Sequence, residues 1–554
     1  MNRIRSLAVA IAVLGLLSGN AAEARPRSPA SAKDAQIETL TRRLEQLEKR
    51  LEESEARAAA QPPRKTGVAD ADPQTLKQVE QKVKLLERKL EVDKEESKTK
   101  WASLPKNVEL GTQGLKVVSQ DENFILYLRA LIQADGRFFL DDSKGGDAAN
   151  SNGDSLPDQF ALRRVRPILE GTVWKWFDYR IMPDFAGGTT RLFDAYADLR
   201  YLREASLTAG KLKAPVSLER LQSASALPFV ERAFPTQLAP NRDVGIMLHG
   251  EFDKPGYATD FAKLERNQTH AGSFPLYMYP EFFSYQLGVF NGARNNGNID
   301  GDSNDSKEFQ GRIFAHPFLH SGIAALEGLG LGVAGTWGQP NDDRLSSFQS
   351  PGLNTIFSYA GSARADGVQY RVYPQGYWIY GPFQLVGEYA LSNQDLATQK
   401  TVNGRSVNTE ETNSTDQAWN VTASYMLTGE ENVFLRQGVK PRHPFDPAAG
   451  SWGALQLAAR WSRIDFDNGV FENTGTAAKP VYPFADPRLS VSAASTWALG
   501  VNWWLNPNVK LMADYSQTRY DGGDGVLTAA GKLGTTVRNL ETEKVFSTRV
   551  QLGF

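Results

Sequence analysis

The 554-residue chain contains no cysteine, which excludes disulfides, thiolate metal sites, cysteine nucleophiles and a lipid-modified N-terminal cysteine. Histidine is scarce: His249, His270, His316, His320 and His443 are the full set. Only His316 and His320 are neighbours in sequence, and on one strand they would stand about 13 Å apart, too far to share a metal. Charge of one sign is also lacking, with 62 Lys and Arg against 64 Asp and Glu, so the whole chain offers no basic field for nucleic acid. Past residue 20, no 18-residue apolar run is free of charge, which excludes spanning helices but not spanning strands. There is no G-x-S-x-G and no P-loop. Gly330, Gly332 and Gly335 have the spacing of a dinucleotide fingerprint but sit inside a strand pattern with no helix behind it, so close strand packing is the better reading. The acidic run Asp300, Asp302 and Asp305 reads as a hydrated loop. Nothing here reads as an enzyme, and no cofactor or metal is expected.

What is present begins with a leader. Arg3 and Arg5 precede the apolar run Leu7 to Leu17, and Ala22-Glu23-Ala24 offers a small-residue cleavage site, so residues 1–24 read as a signal peptide. Two heptad seams follow, Ile37, Leu40, Leu44, Leu47 and Leu51, then Leu76, Val79, Val83, Leu86 and Leu90, separated by Pro62, Pro63 and Pro73. Residues 25–105 are therefore expected to be a periplasmic coiled-coil segment with linkers. Helices this short need partners, so the seams imply contact with other subunits or a hairpin.

Beyond residue 105 the period changes to two. Phe124, Leu126, Leu128, Ala130 and Ile132 alternate with Tyr127, Arg129 and Gln133. Asp194, Tyr196, Asp198 and Arg200 likewise oppose Phe193, Ala195, Ala197 and Leu199, which places Phe193 on the apolar side. Close to eighteen such segments are expected between 114 and 554, including 416–428 and 430–439. The polar stretches Asp141 to Asp158, Asn295 to Lys307 and Asn403 to Asp416 read as long loops, and Gly187-Gly188 and Gly429-Glu430 as short connections. Long loops alternating with short turns suit a transmembrane antiparallel β-barrel, all-β in class, over a secreted sandwich or propeller. Phe546, Val550, Leu552 and Phe554 share one parity up to an aromatic end, as a terminal barrel strand at a lipid boundary would.

At this point Gly114 to Phe139, Phe160 to Met182, Gly210-Lys211-Leu212-Lys213-Ala214-Pro215 through Arg220, Phe229-Val230-Glu231-Arg232, and Leu238 to Gly245 resemble the phosphate-selective porin O and P family. The resemblance implies sixteen-stranded barrels in a bacterial outer membrane, assembled as homotrimers, narrowed by inward-folded loops and lined by Arg and Lys that guide anions. Ser217 to Pro240, too apolar for a free surface loop, is expected to be such an inward fold.

Charge complicates the anion reading. After residue 105 there are 42 basic and 48 acidic residues, a balance of −6, yet residues 160–250 hold 13 basic against nine acidic. Parity places Val165, Pro167, Leu169 and Val173 towards lipid and Arg164, Arg166, Glu170 and Thr172 inward, with Arg163 outside the lining near a rim. The expected electropositive path comprises Arg164, Arg166, Arg200, Lys211, Lys213 and Arg220, with Arg232 and Arg242 as weaker candidates; acidic neighbours could instead tie any of them into a neutral wall. The function expected is passive diffusion of small hydrophilic solutes, anions such as phosphate first. The alternatives are a general porin without phosphate selectivity and an outer-membrane anchor whose coiled coil reaches a periplasmic or cell-wall partner. Expected partners are the other subunits, outer-membrane lipid and small anions.

Overall fold

A computed structural model describes residues 105–140, 156–256, 281–302, 305–341, 343–402, 405–432, 434, 439–527 and 533–554, together with Gln81, Lys84, Arg88 and Val92. Those four isolated residues are helical and exposed, and every residue of the two heptad seams lies outside the described set, as does the signal sequence.

The chain enters through a hairpin, β1 (Pro105–Gly111) and β2 (Gly114–Ser119). The wall follows as β3 (Ile125–Phe139), β4 (Gln159–Val173), β5 (Phe177–Asp184), β6 (Arg191–Leu202), β7 (Ala205–Leu212), β8 (Asp243–Phe252), β9 (Phe283–Phe290), β10 (Glu308–Ala315) and β11 (Leu329–Gly338). Three short strands, β12 (Asp343–Arg344), β13 (Phe348–Gln349) and β14 (Thr355–Phe357), lie in the next loop. The wall resumes with β15 (Ala363–Tyr380), β16 (Phe383–Val402), β17 (Arg405–Met426), β18 (Ala454–Asp465), β19 (Val491–Trp504) and β20 (Val509–Leu527). A loop strand, β21 (Leu533–Asn539), precedes the last wall strand, β22 (Glu543–Gly553).

Leaving aside the hairpin and the loop strands, sixteen antiparallel strands remain, each bonded to the next, and β22 returns to β3 from Val545↔Phe139 to Gly553↔Leu131. Closure pairs the edges that a strand in hydrocarbon could not leave open. Where β22 stops, β2 takes up the same edge of β3, from Val118↔Ile125 to Leu115↔Leu128.

Alternation sets the two faces. On β3, Tyr127, Arg129 and Gln133 are buried inward, while Leu128 is 44% and Ile132 38% exposed on the outer face. Phe546, Val550 and Leu552 face outward, Val550 being 57% exposed, and Phe554, one residue past the strand, is partly exposed at its end. Exposed rings gather at the 174–176 turn, where Phe124 meets Trp174 and Trp176 meets Tyr201, and near the opposite rim, where Phe138 meets Phe160 and Phe309 meets Trp337. Such aromatic bands flank the hydrocarbon zone of membrane barrels.

Two expectations about individual segments fail for physical reasons. Of the expected loop Asn403 to Asp416, the described residues Arg405 to Asp416 are strand: β16 and β17 run on as a paired ribbon, with Asn393 bonded to Asn413 and Thr415 and Thr398 bonded to Thr409. The ribbon is polar on both faces there, so no hydrophobic alternation marks it. Residues 430–439 are not a strand where described; Phe434 is buried against Leu218, Phe314 and Val386, and its apolar character belongs to a plug in the bore. The wall count is sixteen, as the family resemblance implied, and the eighteen segments read from the alternation include pieces that are not wall strands. Long connections also occur at both ends, since 253–282 and 427–453 lie at the end that carries the short turns 174–176, 203–204 and 381–382.

The glycine spacing on β11 has a packing cause. Gly332 is registered opposite Phe314, and a Cβ on Gly330 would lie 2.6 Å from Phe314 Cε1; one on Gly332 would be closer still. Gly332→Val is expected to cost about 1–3 kcal/mol through overpacking, read as a lower unfolding temperature in detergent, while Val333→Ile on the outer face leaves it unchanged.

Candidate functional site

The 30-residue connection between β7 and β8, residues 213–242, does not project from the barrel. It folds into it. Ser217 caps a single helical turn, Leu218–Leu221, by accepting from the Arg220 N–H, and Pro235 opens a 3₁₀ turn at Phe234–Gln237. One face of this loop is apolar: Ala214, Val216, Phe234, Leu238 and Ala239 pack with Phe348, Phe357, Tyr373, Ile464 and Phe466 from the far wall and outer loops. Polar tethers then pin it around the bore. Glu388 accepts from Ser217 Oγ and the Leu218 N–H (3.1 and 2.8 Å), Asp514 from the Val230 N–H (2.7 Å), and Asn502 and Lys510 donate to the Pro228 and Leu227 carbonyls (both 2.9 Å). Gln133 and Gln551 hold the Ala224 and Ser225 carbonyls at 3.1 and 3.0 Å. The expectation that Ser217 to Pro240 folds inward is therefore met.

Because the apolar face occupies the side of β15–β20, the open space lies on the side of β3–β6. A cavity of about 1280 Å³ runs there, bounded by Leu345 and Leu353 of an outer loop at one end and by Thr112, Pro507 and Phe554 at the other. Its lining holds ten arginines and two lysines against two carboxylates, Asp194 and Glu231. The −6 balance of the whole barrel is thus no guide to the passage, because a solute meets the wall beside it and distant loop charges are screened.

Six of the eight expected residues meet in this lining: Arg164, Arg166, Lys213, Arg220, Arg232 and Arg242. Two do not. Arg200 is inward but pairs with Asp178 at 3.1 Å beside the turn, and Lys211 pairs with Asp300, so both are neutralised as part of the wall. Arg166 and Arg242 line the cavity while bonded to Asp184 (2.7 Å) and Asp194 (3.0 Å).

A third correction concerns register. Arg163 was expected outside the lining, yet it lines the cavity and grips Glu231 in a fork, Nε–Oε1 2.6 Å and Nη2–Oε2 3.0 Å. Pairing jumps from Gln133↔Arg164 to Ala134↔Leu162, so Arg163 is the extra residue of a β-bulge. The same device acts on β6, where pairing passes from Met182↔Asp194 to Pro183↔Leu192 and leaves Phe193 extra. Phe193 turns into the cavity, not onto the apolar face. Arg129 and Arg180 also line the cavity, linked through Glu170 at 3.2 and 2.7 Å. Inward parity was available to find both.

Among the described residues, no carboxylate forms an ion pair with Arg164, Lys213, Arg220 or Arg232. Their partners are neutral: Gln133 Oε1 for Arg164 (2.6 Å), the Leu221 and Gln222 carbonyls for Lys213 (2.9 and 3.2 Å), the Glu219 and Gln222 carbonyls for Arg232 (3.1 and 3.0 Å), and the Thr236 carbonyl with Asn296 for Arg220. Burial, then the like charges of Arg242 and Arg232, push the Lys213 ammonium well below its ordinary value. Burial, then Arg220, does the same to Arg232. Burial and Arg242 lower Arg220 to about 10. Cations held together against their own repulsion gain from any anion that joins them.

Residues 132–528 match the model of the family described as phosphate-selective porin O and P. Porin O of Pseudomonas aeruginosa is 26% identical over 459 residues, covering 75% of this chain and 90% of that protein. Among solved structures, OmpT of Vibrio cholerae, an outer membrane protein, is similar over 78% of this chain and 98% of its own at 10% identity and a TM-score of 0.42. The outer membrane channel DcaP of Acinetobacter baumannii is similar over 79% and 99%, also at 10% identity and 0.42.

Proposed function

Since the chain belongs to the phosphate-selective porin O and P family and is an outer-membrane channel, we propose that its passage carries small anions, phosphate among them, by passive diffusion. The observation that carries this reading is the lining itself: twelve basic side chains against two carboxylates, with Arg164, Lys213, Arg220 and Arg232 bonded, among the described residues, to neutral groups and no anionic partner. Both acidic residues of the lining are already engaged by arginine, Asp194 by Arg180 and Arg242 and Glu231 by Arg163 and Arg137. The charged groups that a solute meets are therefore predominantly basic. Arginine offers the planar fork that matches an oxyanion, and lysine a compact point charge.

Also proposed, on the family resemblance and the heptad seams, are a homotrimeric assembly, a cleaved leader at 1–24 and a periplasmic coiled coil over 25–105. Single-channel recording of the purified protein in a planar bilayer tests the central reading. Under a potassium chloride gradient the reversal potential is expected to report anion preference, and added millimolar phosphate is expected to reduce the chloride current saturably. Cation preference, or a chloride current indifferent to phosphate, overturns it.

A further inference from the structure

Two phenylalanines line the cavity, Phe554 at its end and Phe193 among the charges. Phe193, half-buried, faces the cavity only because a bulge in β6 adds it to the inward set beside Asp194. Two guanidinium groups rest on that ring: Arg166 Cζ is 4.2 Å from its centroid and Arg242 Cζ is 5.0 Å. The two arginines reach it from different elements, one from β4 and one from the end of the inward loop. Each is steered from behind by its own carboxylate, Asp184 for Arg166 and Asp194 for Arg242.

We propose that Phe193 is a positioning residue of the permeation path, which holds the guanidinium groups of Arg166 and Arg242, each already paired with a carboxylate, together on one ring in a fixed orientation towards the passage. This rests on the anion reading above and goes beyond it. The argument is electrostatic and steric. Two like charges brought together in a narrow passage repel, and a salt bridge to each fixes only one side of each group. The negative face of an aromatic ring attracts both cations while occupying the space into which either would otherwise swing. The two carboxylates already offset part of the charge, and the ring adds a second hold on each guanidinium without adding further negative charge. The ring also joins the cations of β4 to those of the loop, since Arg242 neighbours Lys213, Arg220 and Arg232 electrostatically.

The test uses full-length protein in planar bilayers with Phe193→Leu, which keeps an apolar side chain but removes the ring, and Phe193→Trp, which keeps a ring. Phe193→Leu is expected to lower the anion-to-cation permeability ratio about three- to fivefold and to raise the phosphate concentration that half-blocks the chloride current. Phe193→Trp is expected to retain both values. A Leu variant with wild-type selectivity, or a Trp variant shifted as far as the Leu variant, overturns the proposal. A wild type without anion preference sinks the anion reading instead, and the positioning role is then decided by a crystal structure of Phe193→Leu. Displaced Arg166 and Arg242 guanidinium groups support it; unmoved ones overturn it.

Discussion

Replacing Arg164, Lys213 and Arg232 together by glutamine is expected to reduce the anion-to-cation permeability ratio by about tenfold to a hundredfold, because a unit charge about 8 Å from a permeating ion at an effective dielectric near 40 contributes about 1 kcal/mol. The three are chosen because none is half of an ion pair among the described residues, so their removal strands no buried carboxylate. The triple variant should therefore fold and insert, and its reversal potential under a salt gradient should move towards zero or change sign. Arg166→Gln is the informative contrast. It removes a charge from the same lining but leaves Asp184 unpaired, so its loss of selectivity should come with a loss of stability. Lys213 adds a pH signature. Its ammonium is pushed down by burial and by Arg242, and a base with a lowered pKa sheds its charge earlier as pH rises. Wild type should lose part of its anion preference on the alkaline side, and Lys213→Arg, whose guanidinium starts from a higher ordinary value, should lose less of it at the same pH.

The second large effect is expected at Glu231. One buried carboxylate receives the Arg163 fork at 2.6 and 3.0 Å and Arg137 at 2.9 Å, with Arg549 at 3.8 Å. Glu231→Gln takes the counter-charge from Arg163, while Arg137 and Arg549 keep Asp135, and should destabilise the folded barrel by about 3 kcal/mol, seen as a fall in the temperature at which the detergent-resistant folded form is lost. Burial alone would raise the Glu231 carboxyl, but the Arg163 guanidinium overrides it and holds the group well below the usual carboxylate range. The sign follows from linkage: an acid with a depressed folded value adds stability that is complete above its ordinary value of about 4.3 and is lost only as pH falls through the depressed one. The gap between wild type and variant should thus be constant from neutrality down to about pH 5 and close only in stronger acid. A gap that closed near pH 7 would show that Glu231 is not the tether.

Much of the wall was legible because hydrocarbon and water impose opposite demands on alternate residues. Leu128 against Arg129, and Val550 against Gln551, can be assigned from parity alone. The inward loop was legible too, since Leu218, Leu227, Phe229 and Phe234 have no reason to sit in a solvated connection. The losses fall where that solvent contrast ends. The β16–β17 ribbon beyond the membrane has polar residues on both faces, so Asn403 to Asp416 resembled a loop. Phe434 is apolar because it plugs the bore, so its segment resembled a strand. At Arg163 and Phe193 a single inserted residue reverses the parity locally, and nothing in the side-chain pattern announces the insertion. Whether a basic residue is free or neutralised was also out of reach. Lys211 and Lys213 stand two positions apart, yet one meets Asp300 and the other, among the described residues, meets carbonyl oxygens.

The segment 213–242 is rooted between neighbouring strands and fastened across the bore to β15, β16, β18, β19 and β20 as well as to β22. Mechanically that makes it a crossbar. To swing aside for a bulky solute it would have to surrender those anchorages together, so the opening should behave as a rigid sieve with a sharp size cut-off, refusing large molecules outright where a hinged flap would let them squeeze through slowly.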